Sequence, residues 1–451
     1  MFHKRYQLPG EVRIFGQFFT RAGFSCYLVG GAVRNLVAGQ KPNDYDFATN
    51  ALPEDVMRIF RKVIPTGIKH GTVTVLFKGE QYEVTTFRID ADYSDGRRPD
   101  AVTYTPDILQ DLSRRDFTIN AMAVELTSGN LVDPHDGRGD IKRKLIRAIG
   151  DPESRFREDG LRLMRACRFT SQLGFSLEEK TRNALSRSKG QLFSVSPERI
   201  RDELVKILSS RLPSVAFRVM EESGILNDIL PELARCRGIE QKGFHDFDVL
   251  DHLLFSCDGA PEDNLSLRLA ALFHDIGKVD TKSIDQEGFP TFHHHEQLSV
   301  QLTADILGRF RFSNEIKDSV LHLIQFHMFH YTPEWSDGAV RRFVAKAGLD
   351  TLEDLFTLRR ADQYGMAGKM IDSPLLEEFR RRIEKVVEEE SAFSITDLAI
   401  NGKDLQGEGV PSGPLMGTIL RELFEAVLDD PGMNEKERLL HLARKLHENY
   451  S

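Results

Sequence analysis

Along residues 1–24 the apolar positions Val12, Ile14, Phe15, Phe18 and Phe19 recur at helical spacing and stop at Gly23, which predicts an opening helix. A short apolar strand at Tyr27–Val29 follows, then a double-glycine turn at Gly30 and Gly31, a short helix, and a strand carrying Asp44 and Asp46. Pro53 opens a helix, PEDVMRIFRKV, with acids in its first turn. Two β-type runs come next, Thr72–Phe77 and Tyr82–Phe87, joined by a Lys-Gly-Glu turn. Residues 88–114 read as mostly irregular, and from Phe156 onward the pattern is helical. Ser196 and Pro197 mark one helix start, Gly224 and Pro231 are breakers, residues 371–394 form a charged helix, and two helices close the chain. The chain therefore reads as an α/β (α+β) head followed by an all-α remainder, and 451 residues suffice for two to four domains.

Chemistry concentrates between Tyr27 and Phe47. Glycines let backbone approach a phosphate, and the helix that follows offers free N–H groups to it. Arg34, in the first turn of that helix, has the reach and the forked geometry to hold a triphosphate. Asp44 and Asp46 are two apart, which on a strand puts both carboxylates on one face. Two carboxylates beside a phosphate site suit Mg²⁺. A Gly-Gly turn, a basic residue three positions on and Asp-x-Asp about ten further resemble the head motif of the DNA polymerase β-like nucleotidyltransferases. In particular they resemble the class II tRNA nucleotidyltransferase and bacterial poly(A) polymerase family. Asn35 departs from the family pattern, which has Asp after the arginine.

The resemblance continues through DLSRRDFTINAMA and DPHDGRGDI (Asp133–Ile141). It implies that Asp44 and Asp46 are catalytic and hold Mg²⁺, and that Gly31, Arg34 and Arg115 bind the triphosphate. Asn120 is of the right type to contact the sugar. Glu83 is either a third carboxylate near the metals or a plain surface acid. The bland reading of Arg114 and Arg115 is an ion pair with a nearby acid. Residues 88–114, with SDGRRPD in the middle, resemble the flexible loop of full CCA-adding enzymes.

In FREDGLRLMRACRF (Phe156–Phe169), Asp159, Arg162, Arg165 and Arg168 repeat every three residues, so on a helix Asp159 and Arg162 are neighbours. Cytosine and adenine each present an amino donor beside a ring acceptor, which a carboxylate beside a guanidinium complements. Guanine and uracil present the reverse, at about 1–3 kcal/mol per mismatched buried group. The resemblance implies that Asp159 and Arg162 read the base and that Arg165 and Arg168 assist. SPERIRDEL (Ser196–Leu204) reads as a structural brace for that helix.

A second constellation lies downstream. His252 on DVLDHLL, His274 and Asp275 in LRLAALFHDIGK, and Asp362 in LRRADQYG resemble the ligand set of HD-domain phosphohydrolases, which implies a second divalent metal. His293, His294 and His295 before Glu296, and His327 with His330, add phosphate or metal contacts.

Composition narrows the setting. Net charge is −9, which argues against indiscriminate nucleic-acid binding, but residues 138–211 carry 18 Lys and Arg against 10 Asp and Glu. A local basic stripe fits RNA contact on one surface. No apolar run reaches transmembrane length and the start lacks a signal-peptide pattern. Cys26, Cys167, Cys236 and Cys257 are scattered without a CxxC pair and read as free thiols in a reducing cytoplasm.

The expectation is a polymerase-β-like nucleotidyltransferase head (1–150), a helical neck for base recognition and RNA binding (151–237), an HD body (238–370) and a helical, tRNA-binding tail (371–451). Its reaction would be template-independent addition of CMP and AMP to the tRNA 3′ end from CTP and ATP, with HD phosphohydrolase activity beside it. The alternatives are a bacterial poly(A) polymerase, an A-adding-only enzyme, and, from a different class, an RNA-binding HD phosphohydrolase with a degenerate head.

Overall fold

The computed structural model describes residues 5–42, 44–90, 102–241, 247–389 and 392–450. The SDGRRPD segment expected to be a loop, and His245, lie outside the described residues. The chain divides into two compact units, Met1–Arg235 with Ile306–Phe312, and Cys236–Asp305 with Ser313–Ser451.

The first unit opens with α1 (Gly10–Arg21), β1 (Cys26–Val29), α2 (Gly31–Val37), β2 (Asp46–Thr49) and α3 (Pro53–Ile59). It continues with β3 (Val63–Gly67), β4 (Thr72–Phe77), β5 (Glu80–Thr86), β6 (Arg88–Asp90), β7 (Val102–Tyr104), α4 (Ile108–Ser113), β8 (Ala123–Glu125) and β9 (Leu131–Val132). Seven strands form one sheet in the order β3-β4-β5-β2-β1-β8-β9. β6 pairs separately with β7. Lys78 and Gly79 both take positive φ, the twist a tight β4–β5 hairpin needs.

Alternation decides which way the sheet faces. Val73 and Val75 of β4, Tyr82 and Val84 of β5 and Phe47 of β2 are buried. Phe15 of α1 sits among Phe19, Phe47, Phe60, Phe77 and Tyr82 with ring centroids 4.8–5.4 Å apart. In a strand of period two, the neighbours of those buried positions must face the other way. One pairing matters most for the site. β2 runs parallel to β5, with Asp46 registered against Glu83 and Phe47 against Val84.

The opening helix is shorter than the pattern predicts. Arg5 bridges to Asn130, and helix begins only at Gly10. Asp44 also differs from expectation: β2 starts at Asp46, and Asp44 lies in the bend before it. The pair is therefore set by a bend entering a strand and not by strand periodicity.

The rest of the first unit is helical: α5 (Gly137–Arg143), α6 (Pro152–Glu158), α7 (Leu161–Leu173), α8 (Glu179–Ser188), α9 (Pro197–Leu208), α10 (Pro213–Glu222), α11 (Ile225–Ile229) and α12 (Pro231–Ala234). The continuous helix expected over 156–169 is broken. Asp159 is extended (φ −147°, ψ 108°) and helix resumes at Leu161. Gly160 explains the break: a Cβ there would lie 2.4 Å from the carbonyl oxygen of Gln191, so only glycine allows this approach. α7 packs against both α9 and α10.

The second unit is a helical bundle of α13 (Val249–Gly259), α14 (Leu265–Phe273), α15 (Lys278–Thr281), α16 (His295–Arg309), α17 (Asn314–Phe326), α18 (Asp337–Ala347) and α19 (Leu352–Ala367). The last turn of α16 belongs to the first unit. α13 lies against α14 and α19. Where α13 meets α19, a Cβ on Gly365 would meet Ser256 Oγ at 2.0 Å and the His252 carbonyl at 2.6 Å, so glycine lets the two helices pack this close beside His252. The charged helix α20 (Pro374–Glu388) is amphipathic and buries Leu376, Phe379, Ile383 and Val386. The tail, α21 (Gly402–Gly407), α22 (Pro414–Asp429) and α23 (Lys436–Tyr450), closes over Leu405, Ile419, Leu423, Val427 and Leu439.

Candidate active site

Three carboxylates converge at the edge of the double-glycine turn. The parallel β2–β5 register sets Glu83 beside Asp46. Burial raises the pKa of Asp46, Arg115 lowers it, and Asp44 raises it again. Burial and then Asp46 raise that of Glu83. Carboxylates that push one another toward the protonated form are of the type a hard divalent ion binds. Glu83, for which the sequence left two readings open, thus lies with the aspartates. Gly30 has φ +67°, and a Cβ there would sit 3.5 Å from Arg115 Nη1 and 3.7 Å from Asp46 Oδ2. The positive φ is what calls for glycine here, since both contacts are of ordinary van der Waals length.

A cleft of about 470 Å³ opens from this turn. It is lined by Gly30, Gly31 and Asp46, by Arg34, Arg114 and Arg115, and by Asp159, Arg162, Arg165, Arg168 and Arg199 of the helical part. Seven arginines face three aspartates there, a surplus that suits a polyanion. Each arginine is held by a partner. Arg114 Nη2 donates to Asp111 Oδ1 at 2.8 Å and Arg115 Nη2 to Asp111 Oδ2 at 3.2 Å. The ion pair foreseen as the bland reading therefore exists, yet it is buried at Asp111 and aims both arginines at the cleft. Arg34 Nη1 donates to Asn120 Oδ1 at 2.9 Å, and Nη2 donates to Asn35 Oδ1 at 3.3 Å. Asn120 Nδ2 donates in turn to Asp116 Oδ1 at 3.2 Å, so both ends of its amide are engaged in positioning. Asp116 accepts from Arg165 Nε at 2.7 Å; burial opposes its charge, but Arg165 and Arg162 outweigh burial and bring its pKa down to about 2.

The broken helix changes the pair expected to read the base. Asp159 Oδ1 accepts from the Leu161 N–H at 3.0 Å, and Oδ2 accepts from Arg199 Nη2 at 2.8 Å. Arg162 turns the other way. Its Nη1 donates to Glu158 Oε2 at 2.5 Å and to the Arg155 carbonyl at 2.9 Å, and Nη2 donates to the Arg114 carbonyl at 2.9 Å. The expected Asp159–Arg162 neighbour pair on one helix face is thus replaced by two side chains braced separately on one cleft wall. Arg168 lies 4.4 Å from the Phe169 ring centroid, with its Nε 2.8 Å from the buried Glu203. The brace sequence SPERIRDEL contributes Arg199 and Glu203, four apart on α9, and both turn inward. Asp116, Glu158, Arg199 and Glu203 escaped the sequence reading. The available signal was an Arg and a Glu one helical turn apart on a helix that otherwise buries Ile200, Leu204 and Ile207. On the expectation that Asp159 reads the base, Arg199→Ala should weaken discrimination between CTP and UTP roughly 5- to 10-fold in kcat/KM ratios, the worth of one hydrogen bond. The loss stays partial because the Leu161 N–H still holds Oδ1.

Comparison with known proteins assigns the chain. Residues 26–147 match the family model described as poly A polymerase head domain. Residues 174–236 match the probable RNA and SrmB-binding site of polymerase A, and residues 291–443 match tRNA nucleotidyltransferase domain 2 (putative). A CCA-adding enzyme of Geobacillus stearothermophilus is 36% identical over 425 residues, covering 94% of this chain and 93% of that protein. The chain belongs to the CCA-adding enzyme family. A second family member, from Lactobacillus johnsonii, is 36% identical over 91% of this chain and 90% of its own. The crystal structure of the Bacillus stearothermophilus CCA-adding enzyme in complex with CTP is 31% identical, with a TM-score of 0.74 over 98% of both chains. The nucleotidyltransferase class and the polymerase-β-like head with a helical remainder are both borne out. No described helix is long and apolar enough to cross a membrane.

This CCA-adding family member carries a second buried cluster. His252 Nε2 lies 3.1 Å from His274 Nε2, 3.3 Å from Asp275 Oδ2 and 3.3 Å from Asp362 Oδ1. His274 Nε2 lies 3.3 Å from Asp275 Oδ2 and 3.5 Å from Asp362 Oδ1. Ligands about 2.0–2.1 Å from one ion are spaced about this far apart, so His252, His274 and Asp362 fit a single cation, with Asp275 Oδ2 beside both imidazoles. Burial disfavours charge at His274, Asp275 and Asp362, but the charges around them favour one another. Asp275 and Asp362 raise the pKa of His274; Lys278 and His274 hold Asp275 well below the usual carboxylate range. Lys278 Nζ is 2.6 Å from Asp275 Oδ2, and Arg359 Nη1 is 2.7 Å from Asp362 Oδ2. A cavity of about 380 Å³ opens beside them, lined also by His293, His295, His327 and His330.

Proposed function

We propose that the first unit adds CMP and AMP to the 3′ end of tRNA without a nucleic-acid template, taking CTP and ATP and releasing pyrophosphate. The observation that carries this reading is the shared cleft, in which Asp46 and Asp159 line one cavity with an excess of arginine between them. In this reading Asp44 and Asp46, with Glu83 beside them, hold Mg²⁺, which when bound neutralises phosphate charge and makes the attacking hydroxyl more acidic. Gly31 admits backbone close to the triphosphate, and Arg34 and Arg115 hold its oxygens in line with the incoming hydroxyl. The terminal 3′-hydroxyl attacks the α-phosphorus, the bond to the bridging oxygen breaks, and pyrophosphate carries the electron pair away. Asp159, oriented by Arg199, accepts the exocyclic amino group of cytosine or adenine. Arg162 supplies the donor to the adjacent ring nitrogen, while Arg165 and Arg168 flank the nucleotide.

Residues 1–150 then act as catalytic head, 151–237 as base-reading neck, and the remainder as a cytoplasmic tRNA-processing enzyme's HD body and tail. Purified protein with Mg²⁺ and tRNA transcripts lacking all three terminal nucleotides, lacking only the last, or complete tests the reading. CTP with ATP should complete the first two and leave the third unchanged. Long A tracts, or no use of CTP, would replace this reading by poly(A) or A-only addition.

The His252, His274, Asp275 and Asp362 cluster favours a second activity, hydrolysis of phosphate esters supported by a divalent transition metal. His274→Ala is expected to remove hydrolysis of a chromogenic phosphodiester by more than about 100-fold, since a ligand of the ion is lost. Nucleotide incorporation by the same variant should stay within about twofold, because additivity holds for independent sites.

A further inference from the structure

One apolar side chain of the first unit is displayed to solvent instead of packed. Phe193 is 77% exposed, more than any other large apolar side chain among the described residues. It lies in the 3₁₀ turn Lys189–Ser194, between α8 and α9. Leu192 and Val195, three apart, are buried, and Phe193 and Ser194 between them face outward. The turn is braced from within. The Val195 N–H donates to the Leu192 carbonyl at 3.0 Å, and Ser194 Oγ donates to the Gln191 carbonyl at 2.7 Å. The phenyl ring therefore projects from a held backbone.

The position of this turn gives the ring a use. The Gln191 carbonyl and Val195 Cγ2 are the groups that press on Gly160, at 2.4 Å and 3.1 Å from where a Cβ would stand. Gly160 follows Asp159, and Arg199, in the first turn of α9, holds the Asp159 carboxylate. Asp159 and Arg199 both line the arginine-rich cleft. Phe193, two residues from Gln191 and two from Val195, thus stands on the rim of the wall that carries Asp159. Arginines hold phosphates but leave the bases of a strand unsupported. A displayed aromatic face beside a cationic groove supplies that support, because every base has a π-face to stack. Bases within a duplex are already stacked and paired, so the strand that fits is an unpaired one. The residues around the ring are Lys189, Gly190, Gln191 and Ser194, which extend no apolar surface from it as a protein interface would need.

We propose that Phe193 stacks on an unpaired base of the RNA whose 3′ end enters the cleft, and so holds that strand while the incoming nucleotide is read. The proposal rests on reading the first unit as an enzyme that adds nucleotides to an RNA 3′ end. It gives Phe193 a part in binding the acceptor strand and none in binding the nucleoside triphosphate.

The test uses the full chain and a tRNA transcript lacking only its last nucleotide. Phe193→Ala is expected to raise KM for the transcript roughly 5- to 150-fold, with KM for ATP and the melting temperature close to the parent's. Phe193→Tyr and Phe193→Trp should restore the parental KM, and Phe193→Leu, apolar but not planar, should not. The single tryptophan of the parent, Trp335, lies in the second unit, so the signal of Phe193→Trp is read as a difference from the parent. That added fluorescence should be quenched by the transcript and not by a blunt-ended RNA hairpin. Rescue by leucine, or equal quenching by the hairpin, overturns stacking. Loss in Phe193→Ala of a dimer that the parent forms in sedimentation overturns it too and gives the ring to a second copy of the chain. A parent that adds A to the transcript, with KM for it unchanged in Phe193→Ala, removes Phe193 alone and leaves nucleotide addition standing. A parent that adds nothing removes the reading on which the proposal rests, and the proposal with it.

Discussion

Asp46→Asn is expected to lower nucleotide incorporation by on the order of 10³-fold while leaving CTP binding within a few-fold. The split follows from the geometry. Asp46 lines the cleft beside the double-glycine turn, whereas Asp159 and Arg199 line it from the helical part, the side proposed to read the base. Single-turnover incorporation and nucleotide titration measure the two quantities separately, and incorporation at the parental rate would remove Asp46 from the metal site. The same variant makes a second prediction of opposite sign. Burial and Asp44 raise the folded-state pKa of Asp46 above its unfolded value against the lowering by Arg115. A carboxyl shifted this way favours the fold when protonated and disfavours it when ionised, so its charge destabilises the ion-free protein at neutral pH. Ion-free Asp46→Asn should therefore melt above the parent at pH 7. The gap should close as pH falls below the unfolded carboxyl range, where the parent is protonated too. Saturating Mg²⁺ should stabilise the parent and not the variant.

Asp159→Ala is expected to keep incorporation measurable but to lose base selection. In the proposed reading its carboxylate accepts from the amino group of cytosine and adenine, where uracil and guanine present a carbonyl instead. Removing it abolishes a mismatch of about 1–3 kcal/mol, which corresponds to roughly 5- to 150-fold in discrimination. Ratios of kcat/KM for CTP against UTP and for ATP against GTP measure the effect. Unchanged rejection of UTP and GTP would take Asp159 out of base reading. Arg199→Ala should move the same ratios in the same direction by less, which ties the outer arginine to selection and not merely to stability.

Much of this molecule was readable along the chain because its signals are local. The double-glycine turn, β4 at its full expected length, and the change from strand to helix after the head follow from short periodic patterns and turn chemistry. So does the family, since its motifs are contiguous strings. What local pattern could not supply was the partner of each charged group. The spacing of Asp159 and Arg162 suggested a helical pair, but Gly160 packs against Gln191 and breaks the helix, and Asp159 finds Arg199 forty residues on. Glu83 was one surface-type acid until the parallel β2–β5 register set it beside Asp46. Of three consecutive histidines, only His295 meets Asp275, because α16 starts at that residue and its first turn fixes the direction. The sequence by itself determined which chemical groups are present and which elements carry them, because propensity and periodicity act over a few residues. The tertiary structure alone decided which groups meet, because a cleft is built from contacts between elements distant in sequence, and charge pairing depends on distance in space.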